Sequence, residues 1–328
     1  MINPLAKLVP GLLEGKPEKK PTRDGFGNGT VEAGKENPNV VVLSADLGDS
    51  TRAAWFQKEF PDRYVEVGVA EQNLATVAAG MANEGKIPFI ASYAAFSPGR
   101  NWEQIRTTIA LNNMPVKVCG MHAGIQTGPD GATHQMLEDI ALMRAMPNMM
   151  VMVPGDAEEG KKCAVAAARL NHPVYIRYGR ASEPVFTTPE TPFEIGKALN
   201  LWESKNPKVA IFTTGSIAYQ ALSAAKTLAE EGIDVVVTHF HTVKPIDREA
   251  IITAAKDIGK IITLEEHQTM GGFGSAVAEV VSEEYPAQVI RMGIQDEFGQ
   301  SGEADELMEY YKLTAPHIVA KVKSVAGV

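Results

Sequence analysis

Val65-Glu66-Val67-Gly68-Val69-Ala70-Glu71-Gln72-Asn73 reads as a short apolar strand that ends in a glycine turn and passes straight into a helix. Leu74, Val77, Ala78 and Met81 follow at helical spacing on one face. Glu71 falls in the first turn of that helix, at the carboxyl edge of the expected sheet, where α/β proteins place their ligands. A carboxylate in a first turn also complements the helix dipole without any further role. The stretch therefore decides the fold class, and on its own it only nominates a residue.

Strand and helix alternate on both sides of it. Upstream, 39–43 is a buried-strand run and 44–50 the loop that leaves it. The opening segment to Glu36, rich in Lys, Pro and Gly, has weak periodicity and is expected to be an arm that wraps a surface before the core begins. Downstream, strands are predicted at 87–91, 116–119, 149–153 and 174–178, with helices at 102–111, 136–144 and 158–170. This predicts a mainly parallel sheet covered on both faces. The segment 182–192 holds Pro184, Pro189 and Pro192 and no periodicity, which reads as a linker. The alternation then restarts, so two doubly wound α/β domains are expected, 1–190 with the arm and linker, and a smaller one over 191–328.

Composition narrows the function classes. With 45% hydrophobic and 22% charged residues, the chain has the mixture of a globular protein with a real core. A formal charge of −9 argues against nucleic-acid binding, which needs a basic face. The basic cluster Lys16, Lys19, Lys20 and Arg23 reads as a solvated arm or a partner contact. Cys119 and Cys163 belong to no paired metal or disulfide pattern, which suits a reducing compartment. With no secretory core and no apolar run of about eighteen residues, a soluble cytoplasmic protein away from membranes is expected.

Polar residues gather just past the predicted strand ends: Asp46 and Ser50, Glu71, His122, Asp130 with His134, and Arg180. In a parallel sheet these loops converge on one edge and could form a site. Each has a plainer reading. Asp46 could close a turn, His122 could be a hydrogen-bonded structural residue, Arg180 could pair with a surface acid, and His134 could belong to a helix start. Phosphate-loop, nucleophile-elbow and zinc-helix signatures are missing. Gly271-Gly272-Phe273-Gly274 before a helix is a weak glycine pattern that close packing also explains. His239, His241 and His267 have no metal-ligand spacing.

Taken together, Val67-Gly68-Val69-Ala70-Glu71-Gln72-Asn73, Gly128-Pro129-Asp130-Gly131-Ala132-Thr133-His134-Gln135 and Leu142-Met143-Arg144-Ala145-Met146-Pro147-Asn148 resemble the transketolase family of thiamine-diphosphate enzymes. The resemblance covers almost the whole chain, as a pyrimidine-binding domain plus a C-terminal domain. It is closest to the C-terminal subunit of a split enzyme. The resemblance implies a cofactor, thiamine diphosphate, and a role for each residue that matches. That cofactor works through its thiazolium carbon, and its aminopyrimidine acts as an internal base when a carboxylic acid meets the distal ring nitrogen. Glu71 matches that acid, and burial favours the protonated form of a carboxyl. Tyr93 and Phe96 align with the pyrimidine pocket, while Gly99 stands where many relatives carry a third aromatic. Asp46 matches a residue near the thiazolium. Asp130 and His134 would contact sugar hydroxyls and carbonyl, and Arg23, Ser50, His122 and Arg180 would clamp the sugar phosphate. His134 and His122 would relay or stabilise protons on sugar oxygens.

The family holds its diphosphate and metal with a Gly-Asp-Gly motif, and none occurs here, Gly155-Asp156 being followed by Ala157. The resemblance thus implies no metal ligand in this chain and an N-terminal partner subunit holding the diphosphate with Mg2+ or Ca2+. It also implies self-association through the pyrimidine domain, giving a heterotetramer that acts on sugar phosphates. Rival readings are a 2-oxoacid dehydrogenase beta-type subunit, a 1-deoxyxylulose-5-phosphate synthase-like chain and a non-catalytic scaffold. A 2-oxoacid dehydrogenase beta subunit usually has a His-His-Ser-Gln-like segment in place of Ala132-Thr133-His134-Gln135, and the synthase usually carries its own diphosphate domain.

Overall fold

The computed structural model describes all 328 residues. In chain order the strands are β1 (Lys19–Lys20), β2 (Val40–Ser44), β3 (Tyr64–Glu66), β4 (Ile87–Tyr93), β5 (Lys117–Met121), β6 (Met150–Met152), β7 (Val174–Arg177), β8 (Glu183–Pro184), β9 (Leu199–Trp202), β10 (Val209–Thr213), β11 (Val235–His239), β12 (Thr242–Lys244), β13 (Lys260–Gln268) and β14 (Gln288–Ile294). Twelve of them form a seven-stranded sheet ordered β12-β6-β7-β5-β4-β2-β3 and a five-stranded sheet ordered β14-β13-β10-β11-β9, while β1 and β8 make a separate pair. Each is parallel apart from one antiparallel edge strand, β12 and β9 respectively. The expected α/β class with two mainly parallel sheets is what the chain adopts. Strands such as β2, buried at all five positions, are continuous apolar runs because helices cover both faces.

The stretch around Glu71 folds as read: β3, then a left-handed Gly68, then the helix Glu71–Asn83. Its buried stripe is Leu74, Ala75, Ala78, Ala79 and Ala82, with Val77 and Met81 only half-buried. Small residues let the helix lie close to the sheet, which turns the stripe slightly from the one the larger side chains suggest.

Two local expectations need correction, and a third, the linker, gains detail. Thr22–Glu36 is a fifteen-residue helix and not part of a loose arm. Gly25, Gly27, Gly29 and Gly34 erase its apolar period, and each glycine costs about 1 kcal/mol of helix propensity against alanine. Packing is the compensation: a Cβ on Gly25 would run into the Ala157 carbonyl and the Lys161 nitrogen, so the helix lies directly on Ala157–Ala168. The segment read as a linker is fastened to the first half, because the buried Asp156 carboxylate accepts from the Phe186 amide (2.8 Å), the Thr187 amide (2.6 Å) and the Thr187 hydroxyl (2.8 Å). β8 within it pairs with β1. The helix read over 102–111 is a short α turn followed by the π-helical Ile105–Ala110.

The two halves also exchange segments. Ala6, Leu8 and Leu12 are buried in the core of the second sheet, and Asn3 donates its amide to the Leu201 carbonyl at 2.9 Å. Conversely β12, from the second half, closes an edge of the first sheet. Between the sheets lies a buried polar seam. Arg177 Nε donates to Asp139 Oδ2 (2.8 Å), Tyr175 donates to the same oxygen (2.6 Å), and Arg177 Nη2 donates to the Glu266 carbonyl (2.8 Å). No helix is long and apolar enough to cross a membrane.

Candidate active site

The loops leaving the carboxyl ends of β7, β5, β4, β2 and β3 open side by side, as the sheet order requires. Two of them leave their strands through a non-glycine residue in the left-handed region, Asp46 (φ 60°) after β2 and His122 (φ 53°) after β5. Such residues cost on the order of 1–3 kcal/mol and concentrate at functional sites. Glu66 ties two loops together: Oε1 accepts from the Asp46 amide (2.7 Å) and the Gly68 amide (2.8 Å), and Oε2 accepts from the Tyr64 hydroxyl (3.2 Å).

Glu71 is 1% exposed. Its backbone carbonyl accepts from Asn101 Nδ2 at 2.8 Å, which fastens the start of its helix to the segment after β4. Its carboxylate pairs with Arg100 Nη1 at 2.6 Å, and the Arg100 guanidinium lies over the Phe96 ring, 4.7 Å from its centroid. Phe96 and Tyr93 are stacked at 6.1 Å, and the His134 ring meets their edges at 5.3 and 6.0 Å. One continuous face of rings thus runs from Glu71 to His134.

The Tyr93 ring continues onto His122, stacked at 4.0 Å, and its hydroxyl donates to Ser50 Oγ at 3.0 Å. Arg23 reaches this point because Thr22 Oγ1, at the head of the glycine-rich helix, accepts from the Gly179 amide at 2.6 Å. Arg23 Nη1 donates to the Ser50 carbonyl (2.8 Å) and to His122 Nε2 (2.6 Å). Burial, then the charge of Arg23, pushes the His122 pKa down to about 3. The imidazole is therefore neutral, with its proton on Nδ1, an atom that is buried and has no partner within the chain. Neutral His122 is suited to hydrogen bonding and not to carrying a charge. Arg180 Nη1 donates to the Thr127 carbonyl (2.5 Å) and sits 3.8 Å from Asp130 Oδ2. Arg23, Arg52 and Arg180 are close enough to depress the basicity of His122 together, so the local potential is positive and an anion is favoured.

The long glycine loop is ordered. It winds through tight turns over Ile125–Thr133, with Gly128 (φ 78°) and Gly131 (φ 70°) at positions only glycine takes without strain. The C-terminal half holds it: Gln135 Nε2 donates to the Gln300 carbonyl (2.9 Å) and Ser301 Oγ to the Pro129 carbonyl (2.5 Å).

All the residues nominated from the sequence lie along this edge: Glu71, Tyr93, Phe96, His134, His122, Ser50, Arg23, Arg180 and Asp130 through the contacts above, and Asp46 with Ser50, Tyr64, Glu66 and Tyr93 around a cleft of about 450 Å³. A larger concavity, about 890 Å³, lies in the second half between Asn200, Lys208 and Asp257 and contains none of them. The chemistry-bearing cluster, not the larger hollow, is the better candidate. Sequence reading missed Arg100, Asn101 and Glu66. Arg100 had a signal, a cation four residues after an aromatic, while Glu66 stood in the opening stretch as a charge between two valines.

Comparison with known proteins gives a consistent picture. The model of the transketolase pyrimidine binding domain matches residues 18–184, and that of the transketolase C-terminal domain matches 196–318. A protein of Methanocaldococcus jannaschii, provisionally named a transketolase C-terminal section, is 44% identical over 92% of this chain and 95% of its own length. A 6-deoxy-6-sulfo-D-fructose transketolase subunit of Clostridium sp. strain MSTE9 is 36% identical over 95% of this chain and 97% of its own. A solved split-gene transketolase, described as an inactive beta4 tetramer, superposes with a TM-score of 0.87 at 45% identity, over 94% of this chain and 98% of that one.

Proposed function

The chain belongs to the transketolase family, and from that premise we propose that it is the C-terminal subunit of a split transketolase, completing its active site with a diphosphate-binding N-terminal subunit. The observation that carries this is the run of side chains along the sheet edge, from a buried carboxylate at Glu71 through aromatic faces to a cationic cluster at Arg23 and Arg180. The sequence has no Gly-Asp-Gly motif, and the relatives matched over nearly their whole lengths are described as sections or subunits. We assign 1–190 to the pyrimidine-binding domain, with its arm and linker, and 191–328 to the C-terminal domain.

The residues fit the aminopyrimidine of thiamine diphosphate. Glu71 offers a carboxyl shielded from water, and Phe96 and Tyr93 offer ring faces beside it. When bound, the cofactor would supply a nucleophilic carbon for the transfer of a two-carbon ketol unit from a ketose phosphate to an aldose phosphate. This chain's part is to hold and move protons. Glu71 would hydrogen-bond the distal pyrimidine nitrogen. Asp46 would face the thiazolium. Asp130 and His134 orient sugar oxygens, with His134 exchanging protons there. Neutral His122 donates a hydrogen bond from its unpartnered Nδ1. Arg23, Arg180 and Ser50 hold the phosphate, two guanidiniums suiting its dianion. The metal, Mg2+ or Ca2+, would be held mainly by the partner. Two copies of this chain meet through their pyrimidine domains in a heterotetramer.

The test is reconstitution with the N-terminal subunit. Xylulose 5-phosphate with ribose 5-phosphate should turn over, and pyruvate with glyceraldehyde 3-phosphate should not. A Glu71→Gln variant should keep its fold and assemble but lose at least about 100-fold in kcat, the scale of a positioned acid–base group. Turnover by the purified chain without any partner, or full activity in that variant, would refute the reading.

A further inference from the structure

Arg100 belongs to none of the roles assigned above, yet its side chain contacts both Glu71 and Phe96. Its guanidinium is planar, carries N–H donors and is charged. One edge donates to Glu71 Oε2 at 2.6 Å and one face lies over Phe96 at 4.7 Å. A pyrimidine ring recognised by this carboxyl and this aromatic needs the same two contacts, an N···O hydrogen bond and a stacking face. The Arg100 side chain is 45% exposed whereas the Glu71 side chain is 2% exposed, so the arginine enters from the open mouth of the site and can leave by it. Its backbone is held, the Arg100 amide donating to the Phe96 carbonyl at 3.0 Å, so only the side chain need move.

We infer that Arg100 is a placeholder for the aminopyrimidine: in the cofactor-free subunit it occupies the carboxylate and ring face that the cofactor takes, and it must swing aside for binding. The inference rests on the proposed function and adds a residue that sets cofactor affinity. Gly99 sets the turn that presents Arg100: a Cβ there would run into the Ala95 carbonyl, so only glycine lets the chain pass this close before the arginine. The contact also spares the free subunit an unpaired buried carboxylate. A site filled by its own side chain for most of the time has an apparent dissociation constant raised by the inverse of the open fraction.

The experiment measures thiamine diphosphate binding to the reconstituted complex by calorimetry, for the unaltered chain and for Arg100→Ala and Arg100→Gln. Inorganic pyrophosphate, which has no pyrimidine, is the control ligand. Removing the competitor should tighten thiamine diphosphate binding by about tenfold if the closed contact is roughly 90% populated, with pyrophosphate affinity unchanged. Arg100→Lys, which keeps the charge but not the planar group, should fall between. A purely structural role would weaken both ligands or neither. Equal or weaker thiamine diphosphate binding in Arg100→Ala and Arg100→Gln overturns the placeholder while leaving the proposed function standing. Failure of the unaltered complex to bind thiamine diphosphate at all overturns the proposed function, and the placeholder with it.

Discussion

Replacing Arg177 with methionine tests how the two halves are locked together. Arg177 is 8% exposed and Asp139 is fully buried. Asp139 Oδ2 accepts from Arg177 and Tyr175, Oδ1 has no hydrogen-bond partner, and the nearest other cation-forming group, His267, is 4.0 Å away with its pKa pushed down to about 4 by burial. Arg177 is thus the only neighbour that neutralises this carboxylate. Arg177→Met keeps the volume but strands the charge, and breaking a buried pair from one side costs about 3–5 kcal/mol. The second change, Asp139→Asn, removes the stranded charge. The double variant should therefore recover more than half of the loss, leaving about 1–2 kcal/mol for the carbonyl contacts that Arg177 made to Glu266 and Met136. Urea denaturation followed by circular dichroism, at one protein concentration and with m unchanged, reads both numbers. A single variant within about 1 kcal/mol of the parent, or a double variant no better than the single, would show that a stranded charge is not what holds the seam.

Arg23→Ala and Arg180→Ala should each raise the KM for sugar phosphates about 10-fold or more in the reconstituted enzyme, with smaller effects on kcat, since each removes a charge-assisted hydrogen bond; an unphosphorylated ketose assayed in parallel should show no such change. Stability should also depend on pH. Glu183, Glu265 and Glu266 are pushed up from 4.5 to about 7 by burial, so the folded chain holds protons that the unfolded chain has released. Their contribution is full below about 4.5 and lost as pH rises through 7. His122, His241 and His267, pushed down to about 3, 4 and 4 by burial, act oppositely, their contribution being lost as pH falls below 6.5. The carboxyl effect is therefore read between about pH 6.5 and 8, where urea midpoints should fall, and Glu266→Gln should flatten the slope. Finally, Gly25→Ala should cost about 1–3 kcal/mol by overpacking against Ala157–Ala168. Gly80→Ala, at an exposed helical position with nothing within 4 Å, should gain up to about 1 kcal/mol in the same urea experiment.

How much of the molecule was legible in the sequence depends on how far each interaction reaches along the chain. Strands such as β2 and β10 are short apolar runs, and the turn at Gly68 into Glu71 is local chemistry, so the α/β class, the parallel sheets and the place of Glu71 at a sheet edge could be read directly. The motif order around Glu71, Asp130 and His134 carried the family. The helix Thr22–Glu36 could not be read, because its stability comes from Ala157–Ala168, more than a hundred residues away, and not from its own glycine-rich sequence. The same distance hid β12, which forms only because the edge of the first sheet is there to receive it. It also hid the pairing of Glu71 with Arg100 and the neutral state of His122, set by burial and by an arginine from the opening helix. Hydrophobic period and turn chemistry act between near neighbours and are written in order along the chain. Close backbone approach, desolvation and charge pairing depend on which segments the fold brings together, so only the tertiary structure decides them.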